Sequence, residues 1–180
     1  MVEIRFRLET QLPAPRVLAA ATDFSERRPQ IWSGIDPQRY RVHSLGPTWA
    51  EVTEGGGKLG GIWARERYDW STPGVVTAEV QDSNVFRPGS RWELRVSPTD
   101  VGGSVVEWRS SRLPRGVKGR IVVAMLRVAG RRHLSAYLAE VLARLPPETA
   151  VDAAFSSTYV ATRPEGGSDV RTSQHDSGLT

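Results

Sequence analysis

Glu66 and Tyr68 stand two residues apart in the stretch GIWARERYDW, residues 61–70, a spacing that puts both on one face of a strand. A carboxylate beside a phenol can take and give protons, the minimum equipment for acid–base work on a bound molecule. Asp82, on the next candidate strand, adds a second carboxylate by the same alternation. The face that carries Glu66 is otherwise apolar or aromatic, with Ile62, Ala64, Tyr68 and Trp70, whereas Trp63, Arg65, Arg67 and Asp69 form the other. A carboxylate closed into such a face costs several kcal/mol unless it finds a partner or water, or has its pKa raised. Three readings stand. Glu66 pairs with an arginine across the sheet, or a bulge turns it outward, as Trp63 on the polar face suggests. Alternatively, it orients a ligand or serves as acid or base.

The elements that must position these groups follow from periodicity. Val2, Ile4, Phe6 and Leu8 alternate with charged residues, so the chain opens on a strand with one buried face. LPAPRVLAAATDF then turns helical, with Pro13 and Pro15 suited to a first turn, and SERRPQIW forms a second short helix limited by Pro29. Strands are expected over 40–45, 49–54, 62–71, 75–84, 91–97 and 104–112, separated by Gly/Pro turns, which makes an antiparallel meander. A long helix runs from Val117 to Leu145 and stops at Pro146 and Pro147, with Gly130 a place for a bend. Its first half is apolar nearly all round and is expected to be covered on more than one side. Residues 1–146 are read as one domain, and the polar, Gly/Ser-rich residues 147–180 as a mostly disordered tail.

Alternation gathers Glu66, Tyr68, Trp70, Val76, Ala78, Val80, Asp82, Trp92, Leu94, Val96, Val106, Trp108 and Ser110 on the inner face. Val122, Met125, Leu126 and Ala129 of the helix are placed opposite. The composition is that of an aromatic-walled chamber for an apolar ligand, and equally that of a solid core in which the aromatics pack on one another.

Other chemistries lack their parts. GGGKLG at 55–60 spells G-x-G-x-x-G, but a strand follows where a phosphate site needs a helix N-terminus, and Leu59 stands after Lys58 where a Walker A loop needs Ser or Thr. His43, His133 and His175 are scattered and there is no cysteine, so neither a metal site nor a disulfide framework is expected. No cofactor is implied. The net charge of +4 divides into +7 over residues 1–146 and −3 beyond, but the basic residues alternate with acids along the strands and the six tryptophans fall mostly inward. Nucleic-acid binding is not expected. No apolar run reaches the roughly 20 residues of a membrane span and the charged N-terminus does not suit a signal peptide, which points to the cytoplasm.

The order of strand, two short helices, six strands and a long C-terminal helix resembles the START/Bet v 1-like superfamily, also called SRPBCC or polyketide cyclase/dehydrase-like. Locally, Pro13, Ala14, Pro15, Val17, Thr22, Asp23, Phe24 and Trp32 are similar to the family's proline-containing turn, amphipathic helix and following aromatic. GGSVVEWRSS is similar to its Gly-Gly-Thr-x-Val-x-Trp final strand, with Ser104 in place of Thr. The resemblance spans about residues 2–145. Leu18 departs from the Trp or Phe of many relatives, and the tail has no counterpart.

The resemblance implies an α+β helix-grip fold, a curved antiparallel sheet of about seven strands wrapped around the C-terminal helix, with a ligand cavity between them. It implies binding of a hydrophobic or aromatic small molecule by Trp32, Glu66, Tyr68, Trp70, Trp92, Trp108 and Met125. The alternative it implies is a polyketide cyclase/aromatase-like enzyme in which Glu66 or Asp82, with Tyr68, serves enolisation and loss of water. A third reading takes the apolar first half of the long helix, or Trp63, as a dimer or protein-interaction surface.

Overall fold

The computed structural model describes residues 1–56, 61–100 and 102–145. The alternating N-terminal segment forms β1 (Val2–Thr10), with Val2, Ile4 and Phe6 buried and the charged residues between them exposed. Helix α1 (Ala14–Thr22) follows, with Pro15 in its first turn and Val17, Ala20 and Ala21 on its buried side. A single helical turn, α2 (Arg28–Ile31), and a 3₁₀ turn (Pro37–Arg39) lead into the meander. Its strands are β2 (Arg41–Leu45), β3 (Trp49–Gly56), β4 (Ile62–Asp69), β5 (Val75–Ser83), β6 (Arg91–Pro98) and β7 (Ser104–Arg112). All pairings are antiparallel in the order β1-β7-β6-β5-β4-β3-β2, so only β1 pairs out of sequence, against β7. The element after the Gly-rich stretch is a strand, β4, as the strand reading requires; residues 57–60, including Lys58, lie outside the described set.

Helix α3 (Gly116–Arg144) runs unbroken across the sheet and packs chiefly on β1. Gly130 serves close approach here, since a Cβ at that position would stand 2.6 Å from Ile4 Cδ1. With Gly119 and Val123 it sets the face turned to the sheet, and Leu138, Val141 and Leu142 continue it. This is the helix-grip arrangement. Ser104, which replaces a Thr of the family pattern, ties β7 to the turn before α1 by donating to the Leu12 carbonyl at 2.8 Å.

Two expectations are corrected. Met125 does not face the sheet: Gly119, Val123 and Gly130 are buried there with Val122 and Leu126 packed against the core, while Met125 and Ala129, about 100° of helix from Leu126 and Gly130, are exposed. Met125 is 53% exposed. Nor is the first half of α3 covered on more than one side, because Val117, Ile121 and Val128 are also exposed, at 73%, 57% and 89%. The expected tail at 147–180 lies outside the described residues.

Candidate functional site

Strand β4 does turn Glu66 inward, and its neighbours explain how it can stay charged there. Glu66 is 6% exposed. Arg112, at the end of β7, donates from Nη1 to Glu66 Oε1 at 3.0 Å, and the Trp92 indole donates to Oε2 at 3.2 Å. Pairing with an arginine across the sheet is therefore the reading that the geometry supports. A bulge exists as well, but it acts on the other strand. The register between β4 and β5 slips between Arg65 and Glu66, leaving Gln81 as the extra residue of β5. The slip turns Asp82 outward, half-exposed and paired with Arg115, while Ser83 takes the buried position. Asp82 is thus removed from the interior, and the expected second carboxylate is a different residue.

That residue is Glu54. Ala50 and Val52 of β3 are fully buried, and the same phase brings Glu54 inward, where it accepts from the Tyr68 hydroxyl at 2.9 Å. Arg28, in the first turn of α2, is 2% exposed and donates from Nε to the other Glu54 oxygen. Its Nη1 donates to the carbonyls of Ala21 and Asp23, and its guanidinium lies 4.3 Å from the Phe24 ring centroid and 5.1 Å from that of Tyr68. Burial works against the Arg28 charge, but the Glu54 carboxylate and the Tyr68 oxygen together outweigh it and raise the pKa above the ordinary arginine value. Glu54 was legible in the phase of its own strand. Arg28 was not, since only the tertiary fold brings a one-turn helix over β3.

Tyr68 joins the two ion pairs. Its hydroxyl lies 2.9 Å from Glu54 and 3.4 Å from Glu66. A phenol has one proton to give, and the shorter distance directs it to Glu54. Complete burial, reinforced by the Glu54 charge, pushes the Tyr68 pKa well above the usual phenol value. Tyr68 is therefore a fixed donor and not a base at neutral pH. The line Arg28, Glu54, Tyr68, Glu66, Arg112 runs cation, carboxylate, neutral phenol, carboxylate, cation and balances to zero, with every carboxylate engaged by a cation.

The aromatic residues fill most of the space beside this line. Phe6, Trp108, Trp92, Tyr68, Phe24 and Trp70 touch in sequence, with centroid separations from 4.7 Å for Trp92 on Trp108 to 6.1 Å for Phe6 on Trp108. What remains is a cavity of about 50 Å³ lined by Phe6, Trp32, Trp108, Leu134, Tyr137 and Leu138. Ligand pockets commonly measure roughly 300–1,000 Å³. Of the expected ligand contacts, Trp32 and Trp108 line this space; Trp92 stacks on Trp108, Glu66 and Tyr68 belong to the buried charged line, Trp70 stacks on Phe24, and Met125 lies on the exposed side of α3. Tyr137 was not anticipated, although it falls on the same α3 face as Leu134 and Leu138.

Strand β7 contains an anomaly. The Trp108 Nε1–H and the Ser110 hydroxyl are buried with no hydrogen-bond partner. Trp32 and Tyr137 across the space are both occupied, Trp32 donating to the Ala20 carbonyl at 3.1 Å and the Tyr137 oxygen accepting from the Gly34 amide at 3.2 Å. A larger depression of about 510 Å³ lies on the opposite face of the sheet, among alternating Arg and Glu side chains such as Arg5, Arg67, Glu79, Arg91 and Glu93. It is the charged outer surface, with Ala78, Trp92 and Ser110 also among its lining residues. Among the described residues no cluster of His, Asp or Glu could hold a metal, and no helix is long and apolar enough to cross a membrane.

Comparison with known proteins fits this architecture. No protein-family model matches the sequence, and no curated protein does. Solved structures match by shape. A START superfamily protein from Mycobacterium smegmatis is 15% identical with a TM-score of 0.63, over 79% of this chain and 96% of that one. The Zhui aromatase/cyclase from Streptomyces sp. R1128 is 13% identical with a TM-score of 0.64, over 81% and 96%. Human STARD10 is 12% identical with a TM-score of 0.62, over 90% and 72%. The chain has the helix-grip fold of START and Bet v 1-like proteins, the fold expected from its order of elements.

Proposed function

We propose that this protein binds a hydrophobic or aromatic small molecule bearing an acceptor oxygen, in the space between β7, β1 and the second half of α3. The observation that carries the proposal is Trp108, whose ring lines the cavity and whose buried Nε1–H has no acceptor. A buried donor without a partner costs about 1–3 kcal/mol, and a ligand carbonyl or hydroxyl placed there recovers it. The solved neighbours include START proteins and aromatase/cyclases, and the fold is one that commonly encloses an apolar cavity between sheet and helix. Because the cavity is small at rest, a ligand enters by displacing Trp32 or the Tyr137 turn of α3.

The test is titration of intrinsic tryptophan fluorescence with a bicyclic aromatic ketone such as 2-acetonaphthone. Saturable quenching is expected, weakened roughly three- to tenfold in Trp108→Phe, which keeps the ring and deletes the donor. Equal affinity of the variant, or no saturable response, overturns the proposal. The cyclase-like reading needs Glu66 or Tyr68 to exchange protons with a substrate, and both are engaged by other groups. Glu66→Gln with ligand affinity kept and turnover of a polyketide-type substrate lost is the result that would favour it.

A further inference from the structure

We infer that the outward face of α3 between Val117 and Arg132 docks flat on an anionic lipid surface. The face is defined by Val117, Ile121, Met125 and Val128, spaced four, four and three residues apart and all more than half exposed. At about 100° per residue they form one stripe on the side of the helix away from Gly119, Val123 and Gly130. Arg120, Arg127 and Arg131 run along one flank of that stripe, Arg132 continues the stripe itself four residues after Val128, and Lys118, on the other flank, donates from Nζ to the Gly61 carbonyl at 3.2 Å. No Asp or Glu occurs between Glu107 and Glu140.

That distribution selects among occupants. A second copy of the same face would bury the apolar stripes together but oppose arginine to arginine, and like charges across an interface are unfavourable. The complement of an apolar stripe with cationic flanks is an apolar layer with an anionic rim. A bilayer interface provides this, with acyl chains beneath the stripe and phosphate oxygens beside the arginines. Arg127 also donates to the Met1 carbonyl at 3.1 Å, and Met1 is 62% exposed, which places one more apolar side chain near the stripe. The segment spans roughly 20 Å at 1.5 Å per residue, long enough to lie in the interface plane and too short to cross it. Docking by this face leaves the cavity side of α3 against the sheet and does not depend on the ligand.

The experiment is flotation of the full chain with vesicles of phosphatidylcholine alone and with vesicles carrying a third phosphatidylglycerol, neither containing any apolar ligand. Binding is expected only to the anionic vesicles and is expected to weaken as salt is added. Arg131→Gln with Arg132→Gln should weaken partition roughly thirtyfold, on about a fivefold contribution for each basic residue near the surface. Val128→Glu should abolish flotation while its circular dichroism melting curve stays that of the parent. Absence of flotation with anionic vesicles, equal flotation with neutral ones, or undiminished binding by the variants overturns the inference. A dimer in sedimentation velocity that Val128→Glu dissolves also overturns it, by assigning the stripe to self-association. Since no ligand is present, a failed flotation leaves the Trp108 titration standing, and a failed titration leaves flotation standing.

Discussion

The two ends of the interior are built on opposite principles. At the β3 and β4 end, charged groups are buried and each carboxylate meets a cation: Glu54 with Arg28, Glu66 with Arg112, and Tyr68 between. At the β1 and β7 end, the walls are aromatic and aliphatic, a small void remains, and Trp108 keeps a donor with nothing to donate to. Groups held by several directional bonds have one arrangement, whereas apolar side chains around a void can repack at modest cost. The charged end thus fixes the sheet's curvature against α2, and adaptability is left to the end beside α3.

Substitutions separate the two ends by size of effect. The largest is expected at Arg112. Its replacement by Met leaves the Glu66 carboxylate buried and unpaired, and should lower unfolding free energy in urea by about 3–5 kcal/mol. Adding Glu66→Gln to that variant should restore a large part of the loss; failure to do so would mean that Arg112 acts through its packing on Phe86 instead. Next is Tyr68→Phe, which removes the donor to Glu54 and should cost about 1–3 kcal/mol by the same measurement.

The charged end also has a pH signature. The neutral Tyr68 phenol is favoured in the folded state because burial raises its pKa well above the ordinary value. The unfolded chain ionises near pH 10, so this contribution is complete below that pH and lost as pH rises above it. Absorbance at the phenolate band should show Tyr68 ionising only with alkaline unfolding, whereas Tyr40, pushed by burial up to about 12, titrates first. Trp108→Phe at the other end should change stability little, because relief of the unsatisfied donor offsets the packing lost with the smaller ring. The smallest effect is expected at Met125→Gln, within about 0.5 kcal/mol, because the residue touches no core. A larger loss there would show that the outer stripe of α3 is covered in solution.

The sequence carried the fold and one of the two ion pairs' carboxylates more plainly than it carried the assembled site. Strict alternation in β1, β4, β6 and β7 made their buried faces readable, and Glu66 stood out because it breaks an apolar face. Glu54 obeys the same rule on β3, but a strand with Glu51, Thr53 and Glu54 close together gives a weaker contrast. The helix phase was ambiguous for a local reason: Val122 with Val123, and Met125 with Leu126, are adjacent apolar pairs that satisfy either phase. Gly119 and Gly130 resolve it, because a backbone pressed against a sheet requires small residues on that side. Arg28 had no local signal, since its burial depends on the carbonyls of Ala21 and Asp23, the rings of Phe24 and Tyr68 and the Glu54 carboxylate, which only the tertiary fold brings together.

Gln81 gives the sheet a sensitivity that substitutions do not reveal. As an unpaired extra residue it resets the odd-even count of β5, and everything after it, from Asp82 to the Ser83 hydroxyl that donates to the Trp63 carbonyl at 2.6 Å, depends on that reset. Loss of this single codon would close the bulge and leave Asp82 opposite Arg65 and Ser83 opposite Ala64, whereas a ladder that paired Gln81 in regular register would drive a carboxylate inward and a buried hydroxyl outward. For this strand, reading frame along the sheet matters more than the identity of the residue that keeps it.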